Sequence, residues 1–517
     1  MKLTIIQLLA DDINRFHNTS DRIQQKIREA CQSGTDLILL PECAYPAYMI
    51  GMEEEPESLR NIPGFLTRMS ELAAKNRVYL AVGTAMSEGG SLYNGVAVFD
   101  RSGEMIAKAY KSNLWHFDGK WFSQGEPGCV FETEFGKIGV MVCADGRIPE
   151  IARILRLKGA GLILDAVNLV ASASTPDQLT NQQYQFMLQA RAKENGVYIA
   201  VCDKAGIESS TVTCLGRSMI VTPDGDIAAE CSPDKEEMLT YELELEEVPP
   251  LRGRRPELYH ILAEPVRTLP VTAVIERPYR LSDLECFTAV IRFDCTDEAD
   301  YAERAVDGIR RAAILDSRLA VLPELKEGMR FNAGLLKYLC SHMPDDICAV
   351  TAYGTDEGGR KAVVFGAEGI KGELPASHIN GSEDVDEIRV LELFPGCCVA
   401  AVFGEEMEIP EIARVAMLKG ADILIWFDRK NTADTMKMMQ TRAAENKVFV
   451  LRTTPAGSMD VSLGVNPDGG KLFTTFCTVE QTASGMLHTS LSKSKEVVPG
   501  TNIVYGRNPN YYKELTI

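Results

Sequence analysis

A cysteine at the end of a predicted β-strand is the residue in this sequence best placed for covalent chemistry. Cys143 follows the apolar run Lys137–Val142 and precedes Pro149, a residue type that favours the first turn of a helix. A thiol at a strand-to-helix junction lies near unpaired N–H groups, whose partial positive charge lowers its pKa and can hold an oxyanion. Such a cysteine could attack an electrophilic carbon, although a buried structural thiol is the commonest alternative.

Two charged residues elsewhere in the first half of the sequence could assist this thiol. Glu42 ends the apolar segment DLILLPE, where a carboxylate is costly unless it is paired or functional. Lys111 lies in the stretch AKAYKSNLW, after another apolar segment. Taken singly, each would ordinarily be a solvated surface residue. Together they favour a chemical role for Cys143 over a structural one.

The sequence around these residues alternates between helical and strand patterns. The amphipathic stretch DRIQQKIREACQSG precedes DLILLPE, and the strand KIGVMVC precedes PEIARILRLKG, whose last glycine suits a helix C-cap. Strands that alternate with helices over roughly 250 residues predict an α/β fold in which helices partly cover both faces of the sheets.

The second half of the sequence repeats the pattern of the first. MVCADGRIPEIARILRLKGA, which starts at Met141, matches VFGEEMEIPEIARVAMLKGA, which starts at Val402. Other matching pairs follow in the same order, from IREACQSGTDLILLPE with IRRAAILDSRLAVLPE to GRRPELY with GRNPNYY. A duplication of a whole domain is therefore predicted. We expect one domain at residues 1–270 and another at 283–517, with a proline-containing linker at about 265–282.

The motifs around the three residues resemble those of the nitrilase superfamily of carbon–nitrogen hydrolases. That family combines a glutamate in LPE, a lysine before a short [HN]L run and a cysteine in GVxxCxDxRxPE. Here these are Glu42, Lys111 in KSNL and Cys143 in GVMVCADGRIPE. The resemblance covers the whole first copy and implies an α-β-β-α four-layer sandwich for each copy. Because family members usually pair into two-fold dimers, it also implies that the fused copies form a pseudo-dimer within one chain.

The resemblance implies a thioester mechanism that needs neither a metal nor an organic cofactor. Cys143 would attack an amide carbon while Glu42 carries protons, and Lys111 and the backbone N–H of Ala144 would stabilise the oxyanion. Water activated by the same carboxylate would then hydrolyse the thioester. Many members have a second glutamate at the position that HFDGKWFSQG fills here, so Asp118, one methylene shorter, would take its role.

Three further residues come from the resemblance of the first copy to N-carbamoyl amino acid amidohydrolases. In those enzymes a histidine, an arginine after the cysteine and an asparagine at the next strand end contact the substrate, and here these are His116, Arg147 and Asn168. Arg147 could hold a substrate carboxylate or form an internal ion pair, and His116 could be a core residue instead. The sequence Cys-Ala-Asp, instead of Cys-Trp-Glu, favours amides and carbamoyl compounds over nitriles.

The second copy lacks the nucleophile. Gly404 occupies the position of Cys143, whereas Glu324 retains the acid of LPE and the lysine position falls on Ser377 or His378. Because no thioester can form without a thiol, we predict a catalytically inactive domain that supports the first one. Further association of whole chains into a homo-oligomer stays open.

Composition restricts the other classes of function. The net charge of −19 disfavours nucleic acid and anionic membrane surfaces as partners, and the apolar runs are far shorter than the ~20 residues of a membrane-spanning helix. No signal peptide is recognisable and the 14 cysteines form no CxxC pair, so we expect reduced thiols in the cytoplasm. The absence of HExxH, P-loop and dinucleotide motifs gives no support for a metal or nucleotide.

These observations predict a cysteine-dependent hydrolase that releases ammonia from a small linear amide or N-carbamoyl compound. Two alternatives stay open, a nitrilase that acts on nitriles and a non-catalytic scaffold or ligand sensor. An intact set of Glu42, Lys111 and Cys143 favours an enzyme over the second alternative.

Overall fold

The computed structural model divides the chain into two compact units. It describes residues 1–51, 57–171, 173, 175–251, 253–428, 435–458, 460–476 and 480–517. The first unit consists of residues 1–251 and 498–501, and the second of residues 252–497 and 502–517. The boundary near residue 251 lies ahead of the predicted linker, which itself contains a helix.

Two sheets form the centre of the first unit. Its strands are β1 (Lys2–Leu9), β2 (Leu37–Leu39), β3 (Tyr79–Glu88), β4 (Ser91–Phe99), β5 (Met105–Tyr110), β6 (Cys129–Thr133), β7 (Gly136–Val142), β8 (Leu162–Ala166), β9 (Tyr198–Cys202), β10 (Lys204–Glu208), β11 (Val212–Leu215), β12 (Met219–Val221), β13 (Ile227–Glu230) and β14 (Glu237–Glu242). One sheet has the order β11-β10-β1-β2-β3-β4-β5, with β14 also paired to β1, and the other has the order β13-β12-β9-β8-β7-β6.

Helices cover the sheets of the first unit. They are α1 (Phe16–Gln32), α2 (Glu57–Arg60), α3 (Ile62–Asn76), α4 (Pro149–Leu157) and α5 (Leu188–Asn195). α1 and α3 pack on the first sheet, α4 and α5 pack on the second, and the sheets pack on each other, for example β1 on β9. The parallel sets β1–β2–β3 and β7–β8–β9 require the crossover connections that these helices provide. The first unit is therefore an α-β-β-α four-layer sandwich.

The second unit repeats this architecture. Its strands are β15 (Glu285–Arg292), β16 (Leu319–Val321), β17 (Cys348–Gly354), β18 (Arg360–Gly366), β19 (Gly369–Pro375), β20 (Leu391–Phe394), β21 (Cys397–Phe403), β22 (Ile423–Phe427), β23 (Phe449–Thr453), β24 (Leu463–Val465), β25 (Lys471–Thr474) and β26 (Gln481–His488). They form sheets of order β19-β18-β17-β16-β15-β26 and β20-β21-β22-β23-β24-β25. Near the end of the chain, β27 (Glu496–Val498) pairs with β28 (Thr501–Asn502).

The helices of the second unit complete a second sandwich. They are α6 (Pro270–Glu276), α7 (Glu298–Ile314), α8 (Ala333–His342), α9 (Pro410–Leu418), α10 (Thr435–Asn446) and α11 (Ser490–Lys493). α7 and α8 pack on one sheet, and α9 and α10 pack on the other. The predicted fold class, two tandem α-β-β-α sandwiches, is therefore confirmed. No helix among the described residues is both long and apolar enough to cross a bilayer.

Candidate active site

The first unit brings Glu42, Lys111 and Asp118 together in a buried cluster. The Lys111 Nζ lies 2.7 Å from Glu42 Oε1 and 2.7 Å from Asp118 Oδ2, and all three side chains are 0% exposed. Burial by itself would lower the pKa of Lys111, but the charges of Asp118, Cys143 and Glu42 raise it well above its ordinary value. The ammonium is therefore charged, and the shorter side chain of Asp118 reaches it.

The end of β2 and the adjoining strands position Glu42. Its Oε1 accepts a hydrogen bond of 2.6 Å from Asn94 Nδ2 on β4. β3 passes so close that a Cβ on Gly83 would lie only 2.0 Å from the Pro41 oxygen, so this position requires glycine. Glu42 Oε2 has no hydrogen-bond partner among the described residues. One oxygen of the carboxylate is thus held and the other is free to exchange a proton.

Cys143 lies at the end of β7 in a tight turn. The residue has a left-handed backbone with a φ of 51° and is 6% exposed. The turn Cys143–Arg147 is a five-residue 3-10 helix, and α4 begins only at Pro149. The sequence places the thiol at a strand-to-helix junction with a short turn before Pro149, and this 3-10 helix is that turn.

The electrostatics of Cys143 differ from the sequence expectation. Burial, followed by the charge of Glu42, raises the pKa of the thiol well above its ordinary value, and Lys111 only partly opposes them. The expectation of a lowered pKa was wrong because burial and the charge of Glu42 outweigh the opposing charge of Lys111. A thiol of this kind is protonated at neutral pH and needs a base to take its proton.

Asp145 joins the segment after Lys111 to the turn of Cys143. Its Oδ1 accepts hydrogen bonds from the Asn113 backbone N–H at 2.9 Å and from the Ser112 hydroxyl at 2.9 Å. Burial raises the pKa of Asp145 to about 6, although these hydrogen bonds lower it in part. In the sequence this aspartate is part of the family motif and an indicator of substrate class, and in the structure it links two segments of the site.

Side chains engage both backbone polar groups of Cys143. Its N–H donates to Asp165 Oδ1 at 2.9 Å, and its C=O accepts from Gln183 Nε2 at 2.8 Å. The N–H of Cys143 is therefore occupied. The next N–H, that of the buried Ala144, belongs to the first residues of the turn, which have no acceptor within it. This geometry favours Ala144 as the backbone donor for an oxyanion.

Tyr48 borders the same cluster and was missed in the sequence analysis. Its ring centroid lies 5.8 Å from Lys111 Nζ and 5.9 Å from Lys204 Nζ. Burial, followed by the charge of Asp118, raises the pKa of Tyr48, and the charges of the other three predicted catalytic residues also act on it. In the sequence, PECAYPAYMI contains two tyrosines and nothing that distinguishes them.

The structure places two of the three predicted substrate-binding residues close to the nucleophile turn. The backbone oxygen of Asn168 lies 4.0 Å from Cys143 Sγ, and the Asn168 Nδ2 has no partner among the described residues. Arg147 is buried at the end of the turn, donates to Gln182 Oε1 at 2.7 Å and lies 5.1 Å from the Trp115 ring. Their contact with substrate stays a prediction.

His116 is placed differently from the other two. Its side chain is exposed, and its ring centroid lies 3.9 Å from that of Phe117. Within the described part of the chain, no hydrogen bond, ion pair or ring contact joins this ring to Cys143 or Lys111. A core role for His116 is therefore wrong, because the residue lies at the surface, and a role at the substrate stays a prediction.

In the second unit, the turn after β21 repeats the left-handed backbone without a thiol. Gly404 has a φ of 53°. The lysine counterpart is Ala376, because its N–H bonds to the Arg360 oxygen at 2.9 Å as the Lys111 N–H bonds to the Asn94 oxygen at 2.8 Å. The expected counterparts, Ser377 and His378, were one and two residues too late, since the length of the preceding loop differs between the copies.

Arg360 replaces Asn94 as the partner of the retained glutamate. Its Nε lies 2.9 Å from Glu324 Oε1, and Glu324 is buried. In the first unit Lys111 supplies the cation next to the glutamate, whereas in the second unit Arg360 on β18 supplies it. No group of three or more His, Cys, Asp or Glu side chains suited to a metal ion occurs in either unit within the described part of the chain.

Comparisons with known proteins give consistent similarities. The sequence profile described as carbon-nitrogen hydrolase matches residues 3–252 and 364–487. The omega-amidase NIT2-A of Xenopus laevis is 31% identical over 280 residues, covering 50% of this chain and 97% of that protein. The nitrilase of Pyrococcus abyssi is 31% identical over 249 residues, covering 47% and 90%. A solved structure of the amidase from Nesterenkonia sp. AN1 is 24% identical, covers 47% of this chain and 93% of that chain, and has a TM-score of 0.40.

Proposed function

Because this chain belongs to the carbon–nitrogen hydrolase family, we propose that its first unit hydrolyses a small linear amide or N-carbamoyl compound through a thioester on Cys143. The observation that carries the proposal is the buried cluster of Glu42, Lys111 and Asp118, in which the charges of Glu42 and Lys111 act on the thiol. A buried base with one free oxygen, a buried cation and a protonated thiol are the groups that acyl transfer requires.

Acylation proceeds by transfer of the Cys143 proton to the free oxygen of Glu42 as the sulfur attacks the amide carbon. The C=O electron pair moves onto oxygen, and Lys111 Nζ and the N–H of Ala144 hold the resulting oxyanion. When the oxyanion collapses, the C–N bond breaks and the nitrogen takes the proton from Glu42. Ammonia leaves, and the acyl group stays on the sulfur as a thioester.

Deacylation repeats these proton transfers with water. Glu42 removes a proton from water, whose oxygen attacks the thioester carbon. The C–S bond then breaks, and the sulfur recovers the proton that Glu42 carries. Asp118 holds Lys111 in place throughout, with Oδ2 on the ammonium. Asn168, Arg147 and the exposed His116 are proposed to contact the rest of the substrate.

The substrate class follows from the sequence and from the names of the relatives. The Cys-Ala-Asp sequence favours amides and carbamoyl compounds, and relatives named omega-amidase support a terminal amide. Nitrile hydrolysis is the second candidate, since a similar relative is named nitrilase. The second unit, with Gly404 in place of the thiol, is proposed to be inactive.

Ammonia release from a panel of primary amides, N-carbamoyl amino acids, ureas and nitriles tests this proposal. We expect release from amides or carbamoyl compounds with the wild-type chain and none with Cys143→Ala. Cys129→Ala removes another thiol of the same unit, on β6, and should keep wild-type activity. Equal activity of Cys143→Ala and wild type would refute the thioester route, and turnover of nitriles alone would favour the second candidate.

A further inference from the structure

The nucleophile position carries a backbone conformation that a cysteine adopts reluctantly. Cys143 has a φ of 51°, in the left-handed region where a Cβ is crowded against the backbone. The backbone conformation of Cys143 sets the direction of its side chain, so the groups that restrain this backbone also orient the sulfur. The hydrogen bonds to Asp165 and Gln183 restrain residue 143 on both sides, through its N–H and its C=O.

Asp165 is an unusual residue for its place in the sheet. It lies in the apolar strand β8, pairs with Met141 of β7 and is 0% exposed. Burial, together with the charges of Asp145 and Glu42, raises its pKa well above the ordinary value, although the hydrogen bond from Cys143 opposes this.

The second unit provides a comparison within the same chain. Trp426 pairs with Val402 there as Asp165 pairs with Met141 in the first unit. The Trp426 indole N–H donates to the Gly404 oxygen at 2.9 Å, and an indole, unlike the Asp165 carboxyl, offers the turn's N–H no acceptor. Glycine tolerates the left-handed conformation without a Cβ penalty and needs no such restraint.

We propose that Asp165 is a positioning residue for the nucleophile. With Gln183 it maintains the left-handed backbone of Cys143 through hydrogen bonds to the N–H and the C=O, and so keeps the sulfur aimed at the substrate carbon. This inference rests on the proposed role of Cys143 as the nucleophile. It assigns a function to a strand residue outside the motifs that identify the family.

Substitution of Asp165 by asparagine and by leucine tests the inference. Asp165→Asn keeps an acceptor oxygen at the same position, so its kcat should stay within about threefold of wild type. Asp165→Leu removes the acceptor at similar size, and kcat should fall by roughly tenfold or more while KM changes by less than about twofold. At every pH, iodoacetamide should alkylate Cys143 more slowly in Asp165→Leu than in wild type, whereas Asp165→Asn should react at close to the wild-type rate.

Two further measurements test the inference, and the first does not depend on a folded Asp165→Leu. Gln183→Leu removes the donor to the Cys143 oxygen and should also lower kcat with little change in KM. In a Cys143→Gly background, Asp165→Asn and Asp165→Leu should differ less in melting temperature than they do with Cys143 present, because glycine needs no restraint.

Several results would overturn the inference. A folded Asp165→Leu variant with the kcat and the alkylation rate of wild type would do so. Equal losses of kcat in Asp165→Asn and Asp165→Leu would also do so. A third such result is a difference in melting temperature between these two variants that is the same with Cys143 and with Cys143→Gly. These results differ from a failure of the proposed function, in which Cys143→Ala would keep its activity. The alkylation measurement requires no knowledge of the substrate.

Discussion

The thiol of Cys143 illustrates how environment, more than residue type, sets reactivity. Its identity and its order relative to Glu42 and Lys111 are visible in the sequence. The direction of its pKa shift is not, because the shift depends on the burial of the thiol in the fold and on the nearby charge of Glu42. Glu42 is therefore expected both to suppress the thiolate at rest and to take the proton of the thiol during attack.

Glu42→Gln separates these two effects. The variant should lose kcat by about a hundredfold or more, because the general base is gone. It should also lower the pKa of the Cys143 thiol, because the charge of Glu42 is one cause of the raised pKa. The pH dependence of iodoacetamide alkylation reports that pKa. A midpoint that stays in place or moves to higher pH would contradict the electrostatic explanation.

Among the elements, the strand ends and the turn after β7 create the site. The alternating pattern predicts the strands and α4, but the sequence does not show that the short turn at Cys143–Arg147 is a 3-10 helix. Asn94 and Asp165 were missed for a related reason. Each lies within an apolar strand, and its contact with the site depends on strand register, which one sequence does not specify.

Gly83→Ala tests the close approach between β3 and the segment that carries Glu42. A Cβ there would lie 2.0 Å from the Pro41 oxygen, so the backbone must shift and Glu42 must move. We expect a lower melting temperature and a kcat reduced by roughly tenfold or more. Gly64→Ala is the matched control, since its Cβ meets only an ordinary contact at 3.5 Å from Arg68. Equal melting temperatures and equal kcat values for the two variants would argue against a requirement for glycine at position 83.

Asp145 gives the link between the two segments a pH dependence. Its pKa rises from 3.8 to about 6 on folding, so the folded state binds more protons between these pH values. The stability that this group contributes is present at low pH and is lost as the pH rises through about 6. When the pH is lowered from 7 to 5, the free energy of unfolding of the wild type should increase by about 1 kcal/mol more than that of Asp145→Asn.

Denaturant unfolding of the wild type and Asp145→Asn at both pH values measures this difference. An identical pH dependence in the two proteins would show that Asp145 does not titrate in this range.

At the scale of the whole molecule, two units of one architecture have different site chemistry. The repeats IPEIAR and LKGA made the duplication predictable, and the exchange of Cys143 for Gly404 made the loss of the thiol predictable. The replacement of Asn94 by Arg360 was not apparent, because it depends on the register between β18 and β19. In the second unit this arginine holds a buried glutamate that no longer has a lysine partner.

Arg360→Met tests that interpretation. The change leaves the buried Glu324 without its guanidinium partner, and a broken buried pair costs about 3–5 kcal/mol. The free energy of unfolding of the second unit should fall accordingly. The double variant Arg360→Met with Glu324→Gln should recover part of the loss, and a single variant as stable as wild type would contradict the interpretation.

The most direct test of the account is the identification of the acyl-enzyme. A substrate amide from the panel is mixed with the wild-type chain, turnover is stopped with acid, and peptides are analysed by mass spectrometry. The account predicts the mass of the acyl group on the peptide that contains Cys143, and its absence in Cys143→Ala, which should release no ammonia. Continued turnover by Cys143→Ala, or an acyl group on another cysteine that the reaction requires, would contradict it.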